Sequence, residues 1–216
     1  PWRSLSHDAR ADLLDAYAGA LRARGRDTAE LVSRENGMPI SLSKGANGIA
    51  PASIIAYYAR LIRDSADQDT RASVFGGRTV VRREPVGVVA AITPWNYPQA
   101  LAAMKIGPAL AAGCTVVLKP APETALDAYA FADAALDAGL PAGVINVVPA
   151  DRDESAYLVA HPGIDKVAFT GSTGAGRAIG QMCGGLLRPV TLELGGKSAS
   201  IVLPDADLDT FVRALP

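Results

Sequence analysis

The sequence predicts an α/β protein built on an open, doubly wound parallel sheet that follows a set of N-terminal helices. In the second half of the chain, short β-favouring runs alternate with helical segments, which predicts parallel strands joined by helices. These runs are continuously apolar, as expected of strands that helices cover on both faces. Apolar residues make up 49% and charged residues 20% of the 216 residues, which is the balance of an ordinary folded protein.

Three helices are predicted ahead of the sheet. The first can be capped by Ser6 and ended by Gly25. The second can start at Thr28 and stop at Asn36-Gly37. The third runs to about residue 64, because one apolar stripe repeats at helical spacing through Ile55, Tyr58, Ala59 and Ile62.

A hairpin and five strands are predicted after these helices. Gly76 and Gly77 separate two β-favouring runs, which predicts the hairpin. The strands of the sheet are expected at 86–92, 115–119, 144–148, 166–169 and 190–194. The intervening helices are expected at 99–112, 124–138, 154–160 and 174–183, with Thr124 as the cap of the second of these. The predicted organisation is therefore a helical part (1–70), a hairpin segment (71–85) and a Rossmann-like domain (86–216).

Charge and composition argue against several classes of partner. Lys and Arg (21) nearly balance Asp and Glu (22), so we expect neither nucleic acid nor an anionic membrane as a partner. Lys105 is the one charged residue in 85–117, but prolines and polar residues in the middle of that stretch indicate buried strand, loop and helix rather than a membrane span. No secretory signal is visible, so we expect a cytoplasmic location. The two cysteines predict no disulfide, and no metal site is expected.

The carboxyl ends of the strands are where ligands bind in such sheets. The first strand ends in TPWNYP, whose Asn96 sits in a rigid loop and could donate its amide to an oxyanion, or could simply bond its own turn. The second ends in LKPAPETA. Its Lys119 could place an ammonium near the hydroxyls or phosphates of a cofactor, or could be a solvated strand-end lysine.

Two further strand ends carry glycines beside polar groups. FTGSTGAG lets a phosphate approach the backbone and offers the Ser172 hydroxyl at a helix N-terminus, although the spacing is not G-x-G-x-x-G and a bare glycine-rich turn is an alternative. LELGGKS places Glu193 on an apolar strand. That carboxylate could act as a general base, or it could pair with a nearby cation.

In this order, the four motifs TPWNYP, LKPAPETA, FTGSTGAG and LELGGKS resemble the aldehyde dehydrogenase superfamily. The N-terminal WRSLSHDARADLL and ENGMPI segments are similar to that family's first helices, so the resemblance covers essentially the whole chain. It implies an aldehyde dehydrogenase-like cofactor-binding domain that uses NAD, with NADP as the alternative, and oxidises an aldehyde substrate. It also implies a homodimer or homotetramer for the full-length protein.

The resemblance implies roles for individual residues. Asn96 would stabilise the oxyanion that forms when a cysteine thiolate attacks the aldehyde, and Glu193 would activate water to hydrolyse the thioester. Lys119 would contact the adenosine ribose, and Gly171 and Ser172 would contact the pyrophosphate. The remaining cofactor-binding positions would line the cleft or allow close approach: Thr93, Pro94, Trp95, Gly176, Leu194 and Gly195.

The sequence departs from the family pattern in two places. Many NAD-preferring members have a glutamate three residues after the lysine, where this chain has Pro122, so the choice between NAD and NADP is open. The family's nucleophilic cysteine lies roughly three dozen residues beyond the glutamate, and neither Cys114 nor Cys183 matches its motif. We therefore expect a partial chain that is inactive alone. The alternatives are a noncatalytic nucleotide-binding module and an interaction domain that uses the edge of the hairpin.

Overall fold

The computed structural model describes residues 1–214 and begins with a layer of packed helices. After a short turn at Trp2–Ser4 come α1 (His7–Asn36), α2 (Ile40–Ser43) and α3 (Ala50–Arg63), with a π-helical segment (Lys44–Ile49) between α2 and α3. Ser6 caps α1 as predicted, since its hydroxyl accepts a hydrogen bond from the Ala9 N–H. Ile55, Ala59 and Ile62 of the predicted stripe are buried.

The two first helices predicted from the sequence are one continuous helix, so the predicted stop at Gly25 and cap at Thr28 are wrong. Gly25 is instead a contact point, because a Cβ there would lie 2.4 Å from the carbonyl oxygen of Gly48. The two backbones approach so closely that neither position has room for a side chain. The Thr28 hydroxyl donates to the Arg24 carbonyl within the same helix, so Thr28 does not cap the start of a second helix. The observed end is Gly37, which has a left-handed φ of 76°.

The predicted hairpin is present as the antiparallel pair β1 (Gln68–Ala72) and β2 (Arg78–Arg82). Gly76 and Gly77 close it with φ angles of 84° and 78°, which the turn requires and which only glycine adopts easily. Val74 and Phe75 at the tip are almost fully exposed. The hairpin forms a two-stranded sheet separate from the main sheet.

The main sheet has five parallel strands, which confirms the predicted fold class. They are β3 (Val88–Ile92), β4 (Thr115–Lys119), β5 (Ile145–Val147), β6 (Lys166–Thr170) and β7 (Val190–Glu193). Their order is β5-β4-β3-β6-β7. The chain thus extends the sheet in one direction from β3 and then returns to extend it on the other side. The switch point, where ligands bind in such sheets, lies between β3 and β6.

Helices cover the sheet on two faces and divide the core in two. The helices that follow the first strands are α4 (Pro98–Ala111) and α5 (Tyr129–Asp137), and the next two are α6 (Arg152–Ala160) and α7 (Thr173–Gly185). One cluster joins Ala91 of β3 with α1, α3, α4 and α5. The other joins its neighbour Ala90 with α6 and α7. Alternate residues of one strand therefore face opposite helical layers.

Two segments differ from the sequence-based expectation. Thr124 does not cap a helix: it ends a short 3-10 turn, Pro122–Thr124, and the helix starts later, at Tyr129. Between them, the Leu126 and Asp127 N–H groups donate to the Glu35 carboxylate of α1, and Gln99 of α4 donates to Asp127. A short helix that was not expected, α8 (Leu208–Ala214), follows an exposed stretch after β7. Residues 215 and 216, the end of the predicted 86–216 range, lie outside the described residues. No helix within 1–214 is both long and apolar enough to cross a membrane.

Candidate active site and cofactor site

The register of the sheet places the four motifs at one edge and at one level. Ile92 pairs with Lys119 on one side and with Phe169 on the other, and Phe169 pairs with Leu192. The next residues along β3, β6 and β7 are therefore Thr93, Thr170 and Glu193, respectively. In addition, the Thr93 N–H donates to the Lys119 carbonyl at 3.1 Å. Motifs that are far apart in the sequence thus meet along one crevice.

The TPWNYP loop leaves β3 at the switch point. Thr93 is buried and Pro94 is partly buried, whereas Trp95, Asn96 and Tyr97 are exposed. The loop ends where Pro98 starts α4, a position that proline favours because a first-turn N–H has no intrahelical acceptor. Among residues 1–214, the side-chain amide of Asn96 has no hydrogen-bond partner, so it is free to donate to a ligand.

Lys119 ends β4 and is buried. Burial lowers the pKa of its ammonium group, and the nearby carboxylates Glu123 and Asp151 oppose this shift. A desolvated cation at the edge of the crevice is a site for polar or anionic groups of a ligand, because it has lost water that such groups can replace.

The turn between β6 and α7 has the features of a phosphate site. Ser172 caps α7 by accepting the Ala175 N–H at 3.2 Å, so the first-turn N–H groups of Thr173 and Gly174 remain without intrahelical acceptors. A Cβ at Gly174 would meet nothing within 4 Å, so the backbone there is open to an approaching group. The positive end of the helix dipole lies at the same place. These residues fit a pyrophosphate.

Gly176 and the glycines after β7 have different surroundings. Gly176 is buried, and a Cβ there would lie 2.3 Å from a methyl carbon of Leu194. Gly176 therefore lets the first turn of α7 lie against the segment that follows Glu193. Leu194 is 39% exposed despite this contact, and Gly195 is exposed, with the Thr173 hydroxyl 3.7 Å from where its Cβ would lie.

Glu193 lies in a cleft together with a lysine to which the sequence assigned no role. The cleft, of about 620 Å³, is bordered by α4 residues and by the ends of β6 and β7. Lys105 of α4 donates from Nζ to the Thr170 hydroxyl at 2.6 Å. Burial lowers its pKa, while the negative charge of Glu193 opposes the shift. Lys105 is the one charged residue in 85–117. Because a buried charge requires polar partners, this pattern in the sequence could have indicated that Lys105 belongs to a polar site.

Neither cysteine lies at the strand ends that carry the four motifs: Cys114 borders the Glu193 cleft but precedes β4, and Cys183 lies in α7. Both Cys114 and Cys183 are buried, and burial raises the pKa of the Cys183 thiol despite the positive charge of Arg188. A buried thiol with a raised pKa is a poor nucleophile, because the thiolate is the reactive form. Residues 1–214 contain no group of three or more His, Cys, Asp or Glu residues that could hold a metal ion.

Comparison with known proteins decides the family. Residues 1–215 match the model of the aldehyde dehydrogenase family. The chain belongs to the aldehyde dehydrogenase family. It is 55% identical to the geranial dehydrogenase of Castellaniella defragrans, with all of this chain covering 45% of that protein. It is 47% identical to the phenylacetaldehyde dehydrogenase of Pseudomonas fluorescens, with 95% of this chain covering 42% of that protein.

Solved aldehyde dehydrogenase structures share the fold. An NAD⁺ complex of the aldehyde dehydrogenase of Bacillus cereus superposes with a TM-score of 0.93 at 38% identity, covering 99% of this chain and 43% of that chain. The chain therefore spans less than half the length of each of these three aldehyde dehydrogenases. The family and the fold expected from the four motifs are both confirmed.

Proposed function

We propose that the full-length protein oxidises an aldehyde to a carboxylic acid with NAD or NADP, and that residues 1–216 supply its cofactor site, its oxyanion donor and its general base. The observation that carries this proposal is the register that aligns Thr93, Thr170 and Glu193 across the switch point. The Asn96 loop follows β3, and the Glu193 carboxylate ends β7, two strands away at the same edge of the sheet. The elements proposed to bind the cofactor lie at the same edge of the sheet.

The cofactor role rests on the fit of three elements. Lys119 would meet the adenosine ribose, and the Gly171–Ser172 turn with the α7 N-terminus would meet the pyrophosphate. Thr93, Pro94, Trp95 and the backbone at Leu194 and Gly195 would line the path of the nicotinamide, and Gly176 would hold α7 close to that path. When bound, the nicotinamide accepts a hydride from the aldehyde carbon.

The catalytic residues would act in two successive steps. A cysteine thiolate outside these residues adds to the carbonyl carbon, and the Asn96 amide donates a hydrogen bond to the resulting oxyanion. Loss of hydride leaves a thioester. Glu193 then takes a proton from water, the hydroxide adds to the thioester carbon, and the carboxylic acid leaves as the thiolate is restored. Glu193 thereby favours hydrolysis over transfer of the acyl group to coenzyme A.

The wider assignment extends the same proposal. An apolar aldehyde is favoured as the substrate, because the two relatives named above are a geranial and a phenylacetaldehyde dehydrogenase and because Leu101, Met104 and Pro108 line the cleft. We infer a homodimer or homotetramer in the cytoplasm with no nucleic-acid or membrane partner. We also infer the division into a helical part (1–70), a hairpin segment (71–85) and a Rossmann-like cofactor domain from residue 86.

The test compares the full-length protein with residues 1–216 in an assay of reduced-nicotinamide absorbance. With geranial, phenylacetaldehyde and succinate semialdehyde as substrates, the full-length protein should reduce NAD or NADP. Residues 1–216 should not, because both of their cysteines are buried and neither follows a strand end as the Asn96 loop does. Full-length protein that binds nucleotide but oxidises none of the aldehydes would favour a noncatalytic module. Activity of residues 1–216 that Cys114→Ser or Cys183→Ser abolishes would show that the nucleophile is misplaced.

Replacement of Lys119 by alanine should weaken cofactor binding about ten- to 100-fold, the expected loss for a hydrogen bond to a charged group. Hydride transfer at saturating cofactor should change less than about threefold, because Lys119 lies three strands away from Glu193. Calorimetric titration with NAD and NADP in parallel measures the affinity and also decides which cofactor Pro122 permits. Lys44→Ala, at an exposed position, is the matched control. Equal affinity of Lys119→Ala and wild type would reject the role.

A further inference from the structure

The last two residues of α1 hold two different strand-end loops. Asn36 donates from Nδ2 to the Trp95 carbonyl at 2.9 Å and to the Asn96 carbonyl at 3.4 Å. Its neighbour Glu35 accepts the Leu126 N–H at 2.9 Å and the Asp127 N–H at 3.1 Å with its two carboxylate oxygens. One end of one helix therefore contacts both the loop after β3 and the segment that follows the Lys119 motif.

The Asn36 side chain is itself fixed before it meets the loop. Its Oδ1 accepts the Met38 N–H at 2.9 Å, an Asx-type turn that sets the orientation of the amide. Gly37 then ends α1 with a left-handed φ of 76° and an N–H that donates to the Ser33 carbonyl. The donor is thus held by a defined helix end rather than by a mobile side chain.

A third polar contact joins the two loops to each other. Gln99, in the first turn of α4, donates from Nε2 to the Asp127 carbonyl at 2.7 Å and to its carboxylate at 2.9 Å. Both side chains are buried. Burial raises the pKa of Asp127 to about 7, and the hydrogen bond from Gln99 opposes this shift while the charge of Glu35 adds to it. Asn36, Glu35 and Gln99 therefore close a ring of contacts around the second half of the TPWNYP loop.

We propose that Asn36 is a positioning residue for the oxyanion donor: its amide fixes the carbonyls of Trp95 and Asn96, and so fixes the backbone from which the Asn96 side chain projects. This inference rests on the proposed function. Asn36 reaches two consecutive carbonyls, which defines the orientation of the peptide unit between them better than one contact would. An oxyanion donor must be preorganised to be effective, and a shift of about 1 Å can cost about 100-fold in rate.

The test measures the first turnover of the full-length enzyme in rapid-mixing absorbance traces. Asn36→Asp keeps the acceptor for the Met38 N–H but replaces the donor by an oxygen that faces two carbonyl oxygens. We expect its burst rate at saturating aldehyde and cofactor to fall about ten- to 100-fold. Its cofactor affinity should stay within about twofold of the wild-type value. Asn36→Ala removes the donor without adding charge and should behave similarly. Arg34→Ala, exposed in the same last turn, should leave the burst unchanged.

A double variant separates positioning from general stability. If Asn36 acts through Asn96, then Asn36→Ala should slow an Asn96→Ala enzyme by less than about twofold, because the group it positions is already absent. Losses that multiply in the double variant, or a loss of cofactor affinity and Tm that parallels the loss of rate, would overturn the inference. If the wild-type enzyme shows a burst and both Asn36 variants show it at the same rate, this result would overturn the inference about Asn36 but not the proposed function. A wild-type enzyme that reduces neither NAD nor NADP with any of the aldehydes would overturn the proposed function and this inference together.

Discussion

Replacement of Asn96 by alanine in the full-length enzyme should lower the rate of the first hydride transfer by about 100- to 1,000-fold, the usual loss when one oxyanion donor is removed. The physical reason is that charge appears on the aldehyde oxygen only as the thiolate adds, so the amide stabilises the transition state more than it stabilises bound aldehyde. The Asn96 side chain is exposed, and its backbone carbonyl, which accepts from Asn36, is kept in the alanine variant, so the replacement should cost little stability.

Rapid mixing of enzyme, cofactor and aldehyde measures this step as the rate of the absorbance burst. Cofactor affinity should be unchanged, which separates the effect from that of Lys119→Ala. Tyr97→Phe changes the next residue of the same exposed loop without removing the amide, and it serves as the matched control. A burst of normal rate in Asn96→Ala would remove Asn96 from the chemistry.

Replacement of Glu193 by glutamine should separate the two halves of the reaction. Glutamine keeps the size of the side chain but cannot take a proton from water, so the first turnover should proceed while steady-state turnover falls by about 100- to 10,000-fold. The acyl-enzyme should accumulate, and the burst amplitude should approach one reduced cofactor per active site.

An added nucleophile provides the internal control for Glu193→Gln. Hydroxylamine attacks a thioester without help from a general base, so it should restore part of the lost turnover. Glu30→Gln, which alters an exposed carboxylate that pairs with Arg26 on α1, should behave as wild type. If Glu193→Gln loses the burst but hydrolyses preformed acyl-enzyme at the wild-type rate, Glu193 acts in the first step of the reaction and not in hydrolysis.

Local sequence patterns predicted most of the sheet because its strands are determined by residues close together in the chain. Thr115–Lys119 was predicted at its observed bounds, since an apolar β-branched run between a glycine-containing helix end and Pro120 has few other structures available. The strand-end positions of Asn96, Lys119, Ser172 and Glu193 followed from the same alternation of strand and helix. Their roles came from the resemblance and remain predictions.

Contacts between distant segments explain what the sequence did not reveal. The sequence around Gly25 suggests the end of a helix. In the structure, Gly25 instead lies against Gly48 at a contact between two helical segments. The hydrogen bond of Asn36 spans 59 residues, and that of Lys105 to Thr170 spans 65. No local pattern encodes these partners. Only the isolation of Lys105 on an apolar helix indicated that it needed one.

The strand that leads into the Asn96 loop and the strand that ends in Glu193 are separated by a multiple of the interstrand distance. Only β6 separates β3 from β7, and adjacent strands lie about 4.8 Å apart, so the two backbones stand roughly 10 Å from each other. This separation of the two backbones is set by the main-chain hydrogen bonds between strands, and their length does not depend on the side chains. Changes of sequence therefore cannot widen the gap between these two strands in small steps. The space between the two motifs can instead be reshaped through the side chains of α4 and through the loops that follow the strands.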